Sequence, residues 1–155
     1  MDRTKESLFN ILQNHLVWEE SSVLDLFSGT GNISLEAASR GALSVISVDQ
    51  HPACATYIRK MSEELGFTQI KVYCKDVLKW YPSIPGSFDF IFLDPPYHLS
   101  GQTELVEKLF LGKWLNPGGI LVLEHNPITE FAHLPGFTEM RKYGQSAFSF
   151  FTKPE

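Results

Sequence analysis

At 155 residues, 43% hydrophobic and 13% aromatic, the chain can bury one substantial core, and a single domain over residues 1–155 is expected. No stretch approaches the roughly 18 consecutive apolar residues needed to span a bilayer, and the start Met1-Asp2-Arg3-Thr4 is not a signal peptide, so a soluble cytoplasmic protein without a membrane partner is expected. A net charge of −5 speaks against a domain that grips nucleic acid through a broadly basic face, and Arg59-Lys60 and Arg141-Lys142 are the adjacent basic pairs.

Leu8, Ile11, Leu12 and Leu16 recur at helical spacing, which predicts a first helix over Lys5 to Leu16. Val23 to Phe27 is a short apolar run of strand type. The loop Ser28-Gly29-Thr30-Gly31-Asn32 follows, then a helix over Ile33 to Arg40 closed by Gly41. A second strand, Val45 to Asp49, leads to Pro52, which opens a helix ended by Gly66. Ile70 to Lys75 reads as a strand and Asp76 to Trp80 as a short helix. Phe88 to Leu93 is a buried strand, Thr103 to Phe110 a helix and Ile120 to Glu124 a strand after the turn Asn116-Pro117-Gly118-Gly119. The tail pairs Phe137–Met140 with Ala147–Phe151 around Tyr143-Gly144-Gln145-Ser146, an antiparallel hairpin. Alternating strands and helices ending in a hairpin predict an α/β fold, a Rossmann-like, mostly parallel doubly wound sheet with one antiparallel edge strand.

The chemistry concentrates after three of these strands. Gly29 and Gly31 follow the first strand, and Asp49 closes the second twenty residues after Gly29, the spacing at which an acid takes ribose hydroxyls in nucleotide-binding folds. Asp25, just before the glycines, would repel a pyrophosphate but attract a ligand carrying an ammonium and a sulfonium. The sign of the site therefore favours S-adenosylmethionine over a dinucleotide. Phe27, Ser28, Gln50, Asp76, Val77 and Asp94 complete the candidate cofactor set, with Asp76 placed to accept from an adenine amino group and Val77 to pack on the ring; Asp76 as a plain helix N-cap is equally compatible. Asp94-Pro95-Pro96-Tyr97 follows the buried strand. Asp94 supplies an acceptor for an exocyclic amine, Pro95 and Pro96 remove two N–H donors and offer carbonyls, and Tyr97 presents a face for stacking. A strand stopped by a proline turn is the plainer reading of the same residues. Cys54 and Cys74 read as packing thiols. His51, His98 and His125 show no metal-ligand spacing, so no metal is expected. Arg3 and Lys5 stay open between approaching the cofactor cleft or RNA and, more simply, a solvated first turn; Glu124 stays open between facing the site and capping a turn, and Trp18, Trp80 and Trp114 read as core or rim packing.

Asp2-Arg3-Thr4-Lys5-Glu6-Ser7-Leu8-Phe9-Asn10, Asp25-Leu26-Phe27-Ser28-Gly29-Thr30-Gly31, Glu36-Ala37-Ala38-Ser39-Arg40-Gly41, Phe92-Leu93-Asp94-Pro95-Pro96-Tyr97 and Tyr143-Gly144 together resemble the bacterial small-subunit rRNA guanine-N2 methyltransferases over nearly the whole chain. The resemblance implies a class I methyltransferase fold, S-adenosylmethionine as donor, and methylation of a guanine amine in 16S rRNA, free or within the small ribosomal subunit, by base flipping and direct methyl transfer. It further implies that Gly29 and Gly31 approach the methionine moiety, Asp25 neighbours its charged groups, and Asp94 and Tyr97 receive the guanine. Family members carry a basic β-hairpin before the first helix, and against that pattern the chain is expected to lack it. An adenine-N6 DNA methyltransferase and a small-molecule N-methyltransferase are the alternatives, and a monomer is favoured.

Overall fold

The computed structural model describes residues 2–155. The first helix, α1 (Arg3–Leu12), starts earlier than its hydrophobic spacing suggests because the Asp2 side chain caps it, accepting from the Lys5 amide at 2.9 Å. It also stops earlier, since past Leu12 the amides of Asn14 and His15 turn back to Ile11 and Leu12 at 3.1 and 2.9 Å, a tightened last turn. There follow β1 (Ser22–Leu26), α2 (Asn32–Ser39), β2 (Ser44–Asp49), α3 (Pro52–Leu65), β3 (Ile70–Cys74), α4 (Val77–Trp80), β4 (Phe88–Leu93), α5 (Gln102–Leu111), β5 (Leu115–His125), β6 (Phe137–Tyr143) and β7 (Ser146–Thr152). Pro52 opens α3, and Gly66, at φ 74°, closes it with Phe67 N bonded to Ser62 O at 2.8 Å and Gly66 N to Glu63 O at 3.2 Å.

One seven-stranded sheet carries these elements in the order β3-β2-β1-β4-β5-β7-β6. The first five are parallel, β7 runs against β5, and β6 pairs antiparallel with β7. The expected antiparallel edge is this terminal hairpin, in which β7 is the reversed strand and β6 lies outside it. Both faces are covered, so the strands read as continuous apolar runs whose residues alternate between two cores. Leu24, Leu26, Ile91, Leu93, Leu121 and Leu123 face α4 and α5. Val23, Phe90, Phe92, Ile120, Val122, Phe148 and Phe150 face α1, α2 and Trp18. The same parity sends three carboxylates toward the α1 face: Asp25 after Val23, Asp94 after Phe92 and Glu124 after Val122.

The strand order reverses direction between β1 and β4, and doubly wound sheets open a crevice at such a point beyond the carboxyl ends of the strands. No helix among the described residues is long and apolar enough to cross a membrane.

Candidate active site

The crevice is built by the turn after β1. Phe27 adopts φ 61°, a left-handed conformation that costs a non-glycine residue about 1–3 kcal/mol and persists only where its surroundings enforce it. The enforcement is local, because Ser28 donates to Val48 O through both its amide (3.0 Å) and its hydroxyl (3.1 Å). The Gly29 amide then donates to Asp49 Oδ2 at 2.8 Å, which ties the end of β2 to the loop. Gly31 does something different. It lines no part of the crevice; a Cβ there would sit 2.7 Å from Ile58 Cγ1, so its small size lets α3 pack on the loop.

Helix α2 has no side chain capping it from Gly31. Asp25 does this work from the neighbouring strand. Its Oδ2 accepts from the Ser34 amide at 3.1 Å and the Ser34 hydroxyl at 2.6 Å, a carboxylate at a helix N-terminus. Its Oδ1 is buried with no partner among the described residues, in a residue only 1% exposed. Burial pushes the Asp25 carboxyl up to about 7, against the Ser34 bonds and the Lys5 charge, and Asp94 adds a smaller push in the same direction.

The crevice has two lobes that share Phe27, Gly29 and Asp94. The outer lobe is lined by Asp49, Gln50, Asp76, Val77 and Pro96, all of which the sequence singles out except in their mutual arrangement. Both Asp49 oxygens are engaged: Oδ2 by Gly29 and Oδ1 by the amide (2.9 Å) and Nδ1 (2.9 Å) of His51. Asp76 does cap α4, accepting from Leu78 N at 3.1 Å, and remains exposed at the lobe's edge. Lys75, His51 and Cys54 also line this lobe and were not anticipated. Folding brings ligand-type atoms of Asp49, His51 and Cys54 within 4.8 Å of one another, although no spacing in the sequence suggested it. The set suits a metal poorly: the Asp49 oxygens already hold backbone amides, and burial followed by the Asp49 charge raises the Cys54 thiol above its ordinary value.

The inner lobe is lined by Lys5, Asp25, Ser28 and Asp94 against the Phe92 ring. Lys5 is not solvated. Its ammonium pairs with Glu124 and lies 4.9 Å from the Phe92 ring centroid. Asp94 is pushed up to about 6, first by burial and then by Glu124, with Lys5 opposing. Beyond Asp94, Pro95 is buried and Pro96 exposed. The Pro96 carbonyl accepts from Leu99 N at 2.9 Å, so of the two prolines in this loop Pro95 is the one whose carbonyl has no backbone amide bound to it among the described residues. Tyr97 lines neither lobe. It is 50% exposed, and its hydroxyl reaches the β6–β7 turn, 3.3 Å from Gln145 O and 3.2 Å from Ser146 Oγ. Ser146 in turn donates to Glu124 Oε2 at 2.9 Å.

The remaining candidates pack as structure. His125 is buried, its Nδ1 donating to Asn126 O (2.8 Å) and its Nε2 accepting from Ser149 (2.7 Å), and burial lowers its pKa. Trp18 is buried, Trp80 lies 4.7 Å from the Tyr73 ring, and Trp114 donates to Ile84 O at 3.1 Å.

A parallel sheet with one reversed strand, a glycine loop after β1, an acid closing β2 and an acid-proline loop closing β4 make up the class I methyltransferase fold. A family model described as "Conserved hypothetical protein 95" matches residues 1–152, and the chain belongs to that family. Relatives include the ribosomal RNA small subunit methyltransferase D of Haemophilus influenzae, 32% identical over 79% of this chain and 65% of the relative. That of Buchnera aphidicola is 30% identical over 77% of this chain and 61% of the relative. The chain thus spans somewhat under two thirds of the length of these two relatives. Among solved structures, a proposed methylase from Haemophilus influenzae superimposes with a TM-score of 0.84 at 26% identity, covering 99% of this chain and 98% of that one.

Proposed function

We propose that this protein is an S-adenosylmethionine-dependent methyltransferase acting on the exocyclic N2 amine of a guanine in small-subunit 16S rRNA. The observation that carries the reading is the two-lobed crevice, in which a lobe ending in Asp49 and Val77 and a lobe ending in buried Asp25 meet at Asp94. The donor set fits the cofactor. The unpartnered Asp25 Oδ1 calls for a cation, Asp49 Oδ2 keeps one lone pair for a hydroxyl beyond the Gly29 amide it holds, and Val77 offers an apolar wall for a purine. When bound, the cofactor would supply an electrophilic methyl group on a sulfonium.

The chain's own part is to hold and polarise the amine. Asp94, mostly ionised above pH 6, accepts from one N–H of the amine, and the Pro95 carbonyl takes the other, drawing the nitrogen lone pair out of conjugation. Tyr97, anchored to the β6–β7 turn, presents its ring for the flipped base to stack upon. Alignment of the reacting groups can contribute roughly 7–11 kcal/mol of the barrier lowering, so a strong base is not required.

The test has two stages. Calorimetric titration with S-adenosylhomocysteine should give binding that is lost in Asp49→Ala. Labelled methyl transfer to small subunits from cells lacking the modification, followed by nucleoside analysis, should then yield N2-methylguanosine. Cofactor binding without methyl transfer to rRNA would leave the donor site standing and sink the substrate assignment; a methylated adenosine would move the target from N2 of guanine to N6 of adenine.

A further inference from the structure

Outside the two-lobed crevice, helix α1 and the outer strand β6 enclose a cleft of about 430 Å³. Binding pockets run from about 300 to 1,000 Å³, so a nucleotide-sized group has room there. Ser7, Asn10 and Asn14 stand at helical spacing along one wall, and Glu139, Arg141 and Tyr143 alternate along the other. Strand β6 runs parallel to β5, both being antiparallel to β7, so Tyr143 stands at the carboxyl edge of the sheet where the crevice opens. Helix α1 starts at the same edge, where Lys5 meets Glu124. The turn after Tyr143 then meets the catalytic loop, with the Tyr97 hydroxyl 3.3 Å from Gln145 O and 3.2 Å from Ser146 Oγ. The cleft therefore begins behind the turn that anchors Tyr97. It leads away for roughly 10–13 Å, the rise of seven helical or four extended residues. At roughly 3.4 Å per residue of a stacked strand, that is the length of about three nucleotides.

The lining favours base edges over phosphates. Arg141 Nε donates to Glu139 Oε2 at 3.2 Å, so its charge is already offset. Asn10 and Asn14 are exposed. Asn14 Nδ2 makes one long contact, to Asn10 O at 3.4 Å, and the Asn10 side-chain amide has no partner among the described residues. A free carboxamide presents a donor and an acceptor side by side, which is the pairing that reads an exposed base edge bidentately. Resting on the rRNA reading, we infer that the α1–β6 cleft binds a single-stranded stretch of RNA flanking the target guanine, with Asn10 and Asn14 reading its base edges. The two asparagines are thus specificity-determining residues remote from the reacting atoms. Recognition through neutral amides accords with a net charge of −5, because it asks for no broadly basic face.

The test measures methyl transfer to small subunits lacking the modification, at varied subunit and salt concentrations. It compares wild type, Asn10→Ala, Asn14→Ala, the double variant, and Gln13→Ala, an exposed neighbour outside the cleft. The double variant should raise the KM for subunits about 10- to 100-fold, the worth of one or two base contacts. Its kcat and S-adenosylhomocysteine affinity should stay within a few-fold of wild type, its salt dependence should be unchanged, and Gln13→Ala should behave as wild type. A photo-crosslinking amino acid in place of Asn14 should attach to 16S rRNA within a few nucleotides of the methylated guanine. An unchanged KM in the double variant overturns the inference. So does an equal loss of kcat or of cofactor affinity, which would show the asparagines to be structural. A salt slope lowered by about one would mark a phosphate contact and overturn base reading. A crosslink to a ribosomal protein would give the cleft to a protein partner and overturn the inference as well. Wild type that binds S-adenosylhomocysteine but methylates no rRNA overturns the rRNA reading itself, and the inference with it.

Discussion

Asp25 holds the clearest conflict between stability and function in the molecule, and Asp25→Asn exposes it. Unfolded, the carboxyl titrates near 3.8; folded, burial moves it to about 7. Between those values the folded protein keeps a proton that the unfolded chain has released. The stability Asp25 contributes is therefore full below pH 3.8 and lost as pH rises through about 7. The difference between the two limits is about 4 kcal/mol, of which about two thirds is lost above pH 5. Asparagine does not titrate and still offers an oxygen to the Ser34 amide and hydroxyl. The stability of Asp25→Asn relative to wild type should accordingly rise by roughly 3 kcal/mol between pH 5 and pH 8. In urea this is a relative midpoint shift of roughly 1–3 M for a slope of about 1–3 kcal/mol per molar. Chemical denaturation of both proteins at the two pH values measures it without the cofactor. Saturating S-adenosylhomocysteine should then recover for the wild type most of what it loses at pH 8, because a ligand cation beside Asp25 favours the charged form, and should do little for Asp25→Asn. A stability of Asp25→Asn that stays constant or falls relative to wild type from pH 5 to pH 8 would refute the claim that Asp25 is held protonated by its burial.

The other expectations concern the loop and its neighbours. Asp94→Ala should abolish turnover while leaving S-adenosylhomocysteine affinity within a few-fold of wild type; lost binding would remove Asp94 from the role of amine acceptor. Since a protonated carboxyl cannot accept from the amine as a carboxylate does, single-turnover rates should rise with pH through about 6 and level off above it, and a pH-independent rate would contradict that role. Gly31→Ala combines a φ of 81° with a Cβ 2.7 Å from Ile58 Cγ1, and should destabilise the fold by about 1–3 kcal/mol, measured as a lower urea midpoint. Tyr97→Phe, which keeps the ring and loses the hydroxyl contacts to Gln145 and Ser146, should change the KM for RNA only a few-fold, whereas Tyr97→Ala should raise it about 10- to 100-fold if the ring stacks on the base.

What the sequence made legible is what local pattern encodes. The periodicities located every strand and helix of the sheet except the start of β5, which runs from Leu115 through the Asn116-Pro117-Gly118-Gly119 stretch read as a turn; the glycine loop, Asp49 and the Asp94-Pro95-Pro96-Tyr97 run announced the ends of three strands because loop chemistry is written in consecutive residues. The pairing of Lys5 with Glu124 escaped, because the two meet across 119 positions and a lysine in a first helical turn beside acids reads more simply as solvated. Yet the parity was present. Lys5 stands three, four and seven residues before Leu8, Phe9 and Leu12, the buried stripe of α1, so the helical period already placed it inward. Glu124 follows Ile120 and Val122 at the strand period, and Asp25 and Asp94 follow Val23 and Phe92, so all three acids were assigned to the same face as α1. A lysine on the apolar stripe of a helix, together with three carboxylates in phase on the apolar face of a sheet, is a pattern that burial can tolerate only if the charges meet. That pattern joins Lys5 to Glu124 and draws both toward Asp25 and Asp94. What it could not have supplied is the packing of Gly31 on Ile58 or the approach of Cys54 to Asp49, which depend on how α3 leans against the loop and leave no period in the chain.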